Sequence, residues 1–444
     1  MDIERLIRKY DATAPRYTSY PTANHFSDEV GPADYAAWLG NITPETPVSL
    51  YLHIPFCKTM CAYCGCHTKI IPSYDPAADY VEHLLGEIDL VAETLGRAQP
   101  VSHIQWGGGT PTFLTTDDLR RLFDRLRARF ALRDDAEIAI EIDPRTIGRD
   151  KIDALASLGV NRISFGVQDF DPAVQEVINR VQPYETVRDV TGWARAAGID
   201  DINFDLMYGL PLQTEDTIRR TMAQAASLAP KRLAVFGYAH VPWFAKHQEK
   251  LEQYDLPDPV ARYRQFMILT NALKDHDYHP IGIDHFAKSD DPMFRAQKNG
   301  TLHRNFQGYT TDTAEIMLAF GTTAISQLPE GFVQNTPLLK KHRERVENGA
   351  LATVRGIVVE QDDLTRRGII ERMMCHFETD YGVLSPAAQA SVAAKLAGFE
   401  QDGIITRDGT FVRMAATSQI FTRLVCTAFD AHFKPASQRH AKAV

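Results

Sequence analysis

The sequence predicts an α/β fold, a parallel sheet rolled into a partial (βα)6 barrel, with an N-terminal arm and a smaller, mostly helical C-terminal domain. Three observations point there. Six short apolar runs, "VSLYLHIPF", "VSHIQWGGG", "AEIAIEIDP", "RISFGVQDF", "DINFDLMYG" and "RLAVFGYAH", recur between residues 47 and 290. Runs that stay apolar without alternation are those of strands covered on both faces, as in parallel sheets. Amphipathic helical stretches separate them, the rhythm of βα units. Six units are fewer than the eight of a closed barrel, so one side stays open, and such an opening suits a bulky ligand.

The elements follow in order. Residues 1–46 carry "PRYTSYPTA" and read as an arm covering the barrel opening. Residues 47–290 form the barrel. Within it, "LTTDDLRRLFDRLRARF" places Leu119, Leu122, Phe123, Leu126 and Phe130 on one helical face, with Thr115 and Asp118 as a capping box. Helical patterns also occupy "AADYVEHLLGEIDLVAETLG", "KIDALASLG", "YETVRDVTGWARAAG" and "DTIRRTMAQAASLA". Residues 291–360 extend the barrel through "LHRNFQGYTT" and "MLAFGTTAIS". Residues 361–444 begin helical, contain an Asp408-Gly409 hairpin turn in "GIITRDGTFVRM", and continue as a helix from about Ser418, a winged-helix-like arrangement.

Composition narrows the function. A net charge of −9 argues against general nucleic-acid binding, and the absence of a basic stripe argues against reading the C-terminal hairpin as a DNA wing. No apolar run approaches the roughly 20 residues of a membrane span, and "MDIERLIRKYDATAPRY" lacks a signal-type apolar stretch, so the chain is expected to be cytoplasmic. Of six cysteines, Cys375 and Cys426 sit among apolar helical residues and read as buried inert thiols.

The other four, Cys57, Cys61, Cys64 and Cys66, fall within "CKTMCAYCGC" directly after the first strand. Neighbours so close rarely satisfy disulfide geometry, so they read as metal ligands in a reducing compartment. A zinc loop with His53 or His67 as a substitute ligand is one solution, although zinc sites usually draw on two separated knuckles. An iron–sulfur cluster is the other. C-x3-C-x2-C matches neither common ferredoxin spacing, but three thiolates can hold three irons of a cubane and leave the fourth open. In parallel α/β architectures chemistry gathers at the carboxyl ends of strands, where this loop, "GGGTP", "EIDP" and "GVQ" all lie.

C-x3-C-x2-C after a strand, with Tyr63 just before the third cysteine, resembles the radical S-adenosylmethionine (SAM) signature, and "WGGGTPTFL" one strand later strengthens the likeness. With "PRYTSYPTA", "YLHIPFC", "CGC", "EIDPR", "SFGVQDF", "INRVQ", "FDLMYGLP", "GIDHFAK", "LHRNFQGYTT" and "AFGTTAIS", nearly the whole chain resembles the oxygen-independent coproporphyrinogen III oxidases of haem biosynthesis. A haem chaperone or another tetrapyrrole-binding radical SAM relative is the competing reading; such chaperones typically lack both "YTSYPTA" and the fourth cysteine.

The resemblance implies a partial barrel of the radical SAM type and oxidative decarboxylation of two propionates of coproporphyrinogen III to vinyl groups, giving protoporphyrinogen IX. It implies a 4Fe-4S cluster on Cys57, Cys61 and Cys64, with Cys66 beside it in no assigned role, and SAM at two sites. Tyr51, Gly108 and Glu141 correspond to contacts of the cluster-bound SAM. Tyr63, Gly109, Thr110, Gln168, Arg180, Asp205, Ala239 and Ile325 correspond to the second site. Arg16, Tyr17, Tyr20, His303, Arg304 and Tyr309 are candidates for a pocket offering cations and flat walls to a tetrapyrrole. An external electron donor and acceptor, no nucleic-acid or membrane partner, and a monomer complete the expectation.

Overall fold

The structure, a computed structural model, describes residues 2–434. All six expected strands form: β1 (Val48–Ile54), β2 (Pro100–Gly108), β3 (Ala131–Ile142), β4 (Arg162–Gln168), β5 (Asp201–Tyr208) and β6 (Arg232–Gly237). Six more join the same sheet: β7 (Tyr278–Ile281), β8 (His285–Lys288), β9 (Ile316–Phe320), β10 (Ile325–Leu328), β11 (Gly331–Asn335) and β12 (Thr353–Val358). Their order is β12-β11-β10-β9-β1-β2-β3-β4-β5-β6-β8-β7. The outer strands β7 and β12 are not neighbours in it, so the barrel stays open.

The parallel part is longer than the six expected runs. β9 lies parallel to β1, Val48 against Ile316 and Leu52 against Phe320, so "IMLAF" is a seventh parallel strand. It is buried throughout, and the return from β6 to it runs through the helices Pro259–Lys274 and Pro292–Asn299 and the antiparallel strands β7 and β8 rather than one crossover helix, which hides its βα character in sequence.

Helices recur where the patterns place them. The one at Thr116–Arg129 starts on Thr115, whose Oγ1 accepts from the Asp118 N–H at 3.2 Å, and buries Leu119, Leu122, Phe123 and Leu126. Several others begin with a capping Asp or Ser followed by Pro. Asp171, Asp258, Asp291 and Ser385 each accept backbone N–H groups that the first turn leaves orphaned, and the proline has no N–H to satisfy. At the C-terminus the helix expected from Ser418 opens as a 3-10 turn, Ala416–Phe421, and becomes α only over Thr422–Cys426.

The expected arm, 1–46, does not pack as one unit. α1 (Ile3–Lys9) and Tyr17 and Tyr20 share a core with Ile369, Met373, Leu396, Val412 and Phe429 of the C-terminal segment. α2 (Pro32–Asn41) buries Tyr35, Trp38 and Leu39 in the barrel's own core. Apolar side chains on opposite sides of Pro21 thus serve two different cores. The C-terminal segment holds helices Gln361–His376 and Pro386–Gln401 with a three-stranded antiparallel sheet, Glu378–Asp380, Ile405–Asp408 and Phe411–Met414. Residues 435–444 lie outside the described residues. Cys375 and Cys426 are fully buried, as expected.

Candidate active site

β1 ends at Ile54 and the chain passes directly into the cysteine loop. The glycine run of β2 fastens onto that entry: the Gly109 N–H donates to the Ile54 carbonyl at 2.8 Å and the Thr110 N–H to the Phe56 carbonyl at 2.9 Å. The approach is too close for side chains. A Cβ on Gly109 would stand 2.8 Å from the Phe56 carbonyl oxygen; one on Gly108, at φ +117°, would stand 2.9 Å from the His53 ring. At Gly107 it would meet the Glu141 carboxylate at 2.9 Å and the Tyr51 ring at 3.1 Å, so Tyr51, Glu141 and the glycines converge on one spot at the strand ends.

Each sulfur of the signature has a partner. Cys57 Sγ lies 3.3 Å from Thr110 Oγ1. Cys61 Sγ accepts from Arg145 Nη2 at 3.6 Å and Arg180 Nη1 at 3.5 Å, and both guanidinium groups also pair with Asp143. Cys64 Sγ accepts from the Cys66 N–H at 3.4 Å, and hydrogen bonding by Cys66 lowers the Cys64 thiol to about 7. Three thiols on one loop, with two cations aimed at one of them, are a donor set suited to an anionic three-thiolate cluster. The loop is held from outside. Asn179 donates to the Met60 carbonyl at 2.8 Å, Gln248 to the Tyr63 carbonyl at 2.7 Å, and the His247 ring to the Cys64 carbonyl at 2.7 Å. Arg180 lies just after the helix Pro172–Val177, not in it; that turn lets its guanidinium reach back to Cys61 and the Gly166 carbonyl.

Below the strand ends a polar bore of about 210 Å³ runs into the barrel, lined by Glu141, Asp205, His285 and Tyr309 among others. Asp205 accepts from Ser164 Oγ at 3.0 Å and Asn203 Nδ2 at 2.8 Å. Burial and then the Asp205 charge push the Glu141 carboxyl up to about 8. His53, 7% exposed, is kept neutral, its pKa brought down to about 4 by burial.

Beside the bore, sharing Phe236 and His285 with it, opens a cavity of about 910 Å³. Tyr208, Phe236, Trp243 and Phe266 give it flat walls; Arg16, Arg262, Arg304 and Arg423 give it positive charge. The Arg304 guanidinium stacks over Tyr309 at 4.5 Å and the Arg262 guanidinium over Tyr208 at 5.8 Å.

Residues 51–225 match the radical SAM superfamily. The chain is 47% identical over 436 residues, 97% of each protein, to the oxygen-independent coproporphyrinogen III oxidase of Bradyrhizobium diazoefficiens. The chain belongs to that family. The oxygen-independent coproporphyrinogen III oxidase of Escherichia coli K12 is 38% identical over 436 residues, 97% of this chain and 95% of that one. The solved structure of an E. coli coproporphyrinogen III oxidase, described as a radical SAM enzyme, superposes with a TM-score of 0.90 over 94% of this chain and 98% of that one, at 38% identity. The parallel-sheet α/β architecture is thus the one the oxidase family uses.

Against that family background the expected residues fall into groups. Tyr51, Gly108, Gly109, Thr110 and Glu141 gather at the ends of β1 to β3, beside the cysteines. Tyr63 and Arg180 stand with Cys61 and Asp143. Gln168, with φ +68°, ends β4, and Asp205 lies in the bore. Ala239 lines the large cavity. Ile325 begins β10 and packs on the Phe26, Phe332 and Val359 cluster.

The substrate candidates divide. Arg16 and Arg304 line the large cavity and Tyr309 the bore. Tyr17 and Tyr20 do not: they are 4% and 1% exposed, the Tyr17 hydroxyl donating to Asp430 at 3.1 Å and the Tyr20 hydroxyl accepting the Ala431 N–H at 2.9 Å. His303 pairs with Glu371 at 3.2 Å, against the helix Gln361–His376. Sequence reasoning missed Arg262 and Arg423. Arg262 lies in the weakly amphipathic helix Pro259–Lys274 and Arg423 in the short, largely buried helix Thr422–Cys426, neither of which marks a binding face in sequence, so only the tertiary fold shows that they face a cavity. Among the described residues no helix is long and apolar enough to cross a membrane.

Proposed function

We propose that this chain converts coproporphyrinogen III to protoporphyrinogen IX without oxygen, by oxidative decarboxylation of two propionates to vinyl groups in haem biosynthesis. One observation carries the reading: the segment 238–248 joins the two sites. Tyr238, His240 and Trp243 line the arginine-bearing cavity, while His247 and Gln248 hold the carbonyls of Cys64 and Tyr63 in the cysteine loop. A flat tetrapyrrole with four carboxylates matches the aromatic walls and several arginines of a cavity whose wall continues into the segment that holds the loop.

Cys57, Cys61 and Cys64 would hold a 4Fe-4S cluster, with Arg145 and Arg180 offsetting its thiolate charge. Such a cluster would supply the one electron that splits bound SAM into methionine and a 5'-deoxyadenosyl radical. Tyr51, Gly108 and Glu141 orient the SAM on the cluster, the glycine backbone allowing close approach and the carboxylate accepting from an ammonium or hydroxyl group. Tyr63, Gly109, Thr110, Gln168, Arg180, Asp205, Ala239 and Ile325 form a second SAM site. Cys66 supports Cys64 through its N–H. The barrel with 291–360 carries the chemistry, and 361–434 with the first 20 residues close the cavity from the far side. The proposed enzyme is a cytoplasmic monomer that takes electrons from an external donor and passes them to an external acceptor.

The experiment is anaerobic incubation of the reconstituted protein with coproporphyrinogen III, SAM and a low-potential reductant. Protoporphyrinogen IX and 5'-deoxyadenosine are expected together; neither product from protein with an intact cluster would refute the reading.

A further inference from the structure

Resting on the assignment of the large cavity to a tetrapyrrole, we infer that Arg16, Arg304 and Arg423 form an anchor for a propionate that is not decarboxylated, and that this anchor decides which propionates face the cysteine loop. Arg304 is the centre of the group. Its Nε and Nη1 are buried without a hydrogen-bond partner, in a side chain that lines the cavity. Its backbone N–H donates to Glu371 at 3.1 Å and its guanidinium lies on the Tyr309 ring, so the unused donors have a fixed direction. A buried guanidinium with unmade bonds is costly unless something fills them.

The neighbours sharpen the charge. Arg423 donates to the carbonyls of Ala14 and Pro15, and Arg304 Nη2 lies 3.4 Å from the Arg16 carbonyl, so the segment carrying Arg16 is fastened by the other two arginines. Burial first, then Arg16 and Arg304, lower the Arg423 pKa to about 10. Of the acids lining the cavity, Asp258 caps a helix through the Ala261 N–H and pairs with Arg8 at 3.9 Å. Asp284, hydrogen-bonded to His285 at 2.7 Å, also faces Arg304 and Arg16 and offsets only one of their charges. The group therefore keeps a positive surplus at a wall made by the C-terminal segment and residues 13–16.

The chemistry says which carboxylate belongs there. In a reacting side chain the β-carbon loses a hydrogen atom, the bond from the α-carbon to the carboxyl carbon breaks, neutral CO2 leaves, and one electron passes to an external acceptor. Charge-assisted hydrogen bonds to that carboxylate are strongest before it loses its charge, so they stabilise the ground state over the transition state and slow the step. A dense cationic site suits a carboxylate that stays.

Binding of three porphyrins to the anaerobically reconstituted full chain, followed by porphyrin fluorescence, tests this. Coproporphyrin III carries all four propionates, mesoporphyrin IX only the two that survive in the product, and coproporphyrin III tetramethyl ester none. Arg304→Met should weaken coproporphyrin III and mesoporphyrin IX alike, by about tenfold, as loss of a charge-assisted pair does. The ester should bind as before, Arg304→Lys should restore part of the loss, and Arg16→Met, on the exposed rim, should show the same pattern more weakly. Equal weakening of the ester would make Arg304 a packing residue, weakening of coproporphyrin III alone would place a reacting propionate at the anchor, and no weakening would remove the anchor; each overturns the inference. Wild-type protein that bound none of the three would instead refute the assignment of the cavity.

Discussion

Glu141 stands at the mouth of the bore with a second carboxylate, Asp205, near it, and its pKa is raised from the ordinary 4.5 to about 8. A carboxyl raised in this way lends the folded state stability that is present below the unfolded pKa and is lost as pH rises through the folded one. Relative to Glu141→Gln, the melting temperature of the SAM-free protein should therefore fall between pH 5 and pH 8; a constant difference would show an ordinary carboxyl. SAM donates to the ionised form, so its binding below about pH 8 should release a proton, measurable by calorimetry in buffers of different ionisation heat. Cys66 makes a second residue-scale prediction. Cys66→Ser keeps the backbone N–H on Cys64 and should retain iron and acid-labile sulfide, whereas Cys57→Ser, Cys61→Ser and Cys64→Ser should lose them. Spacing singled out these four cysteines, but only the fold shows Arg145 and Arg180 aimed at Cys61, because those contacts link positions far apart in the chain.

α3 (Asp75–Leu95) is the element whose work was least legible in sequence. Its apolar periodicity marks a helix, but Glu87 in the buried face looks like an error of pattern. The structure shows why it is there. The Glu87 carboxylate accepts from the Gly321 N–H at 2.7 Å, Asn335 Nδ2 at 2.5 Å and His342 Nε2 at 2.9 Å. Two turns earlier the Tyr80 hydroxyl donates to the His53 carbonyl at 2.7 Å and accepts the Thr322 N–H at 3.0 Å. α3 thus braces the end of β1, just before the cysteine loop, against the turn that leaves β9. That turn is strained: Thr323 has φ +62°, uncommon for a β-branched residue, and a Cβ on Gly321, at φ +95°, would stand 2.2 Å from the Tyr80 hydroxyl. Glu87→Ala strands three buried donors and should cost about 3–5 kcal/mol in urea unfolding, the range for breaking a buried pair. A loss below about 1 kcal/mol, the value of an exposed pair, would contradict the brace.

At the scale of the whole molecule, alternating runs and helices made the parallel barrel legible, since each βα unit is a local pattern. The antiparallel strands and the seventh parallel strand were not, because they are short and are reached through hairpins and several intervening elements rather than through one crossover helix each. The arm's division between two cores was equally hidden, depending on which distant apolar face each half meets. That division predicts the effect of truncation. Removing residues 1–20 takes Leu6, Ile7, Tyr17 and Tyr20 from the C-terminal core, so hydrogen exchange should rise across 361–430 while the barrel strands stay protected. Equal loss of protection in the barrel would contradict the two-core description. In the function proposed above the cysteine loop and the arginine-lined cavity act on one molecule, the first supporting radical formation and the second presenting a propionate to it. Its most direct test is anaerobic turnover of coproporphyrinogen III deuterated at the propionate β-carbons, with mass analysis of the 5'-deoxyadenosine formed. One deuterium in each 5'-deoxyadenosine and one 5'-deoxyadenosine for each vinyl group are expected; unlabelled 5'-deoxyadenosine alongside vinyl product would show that the radical does not act on the propionate β-carbon.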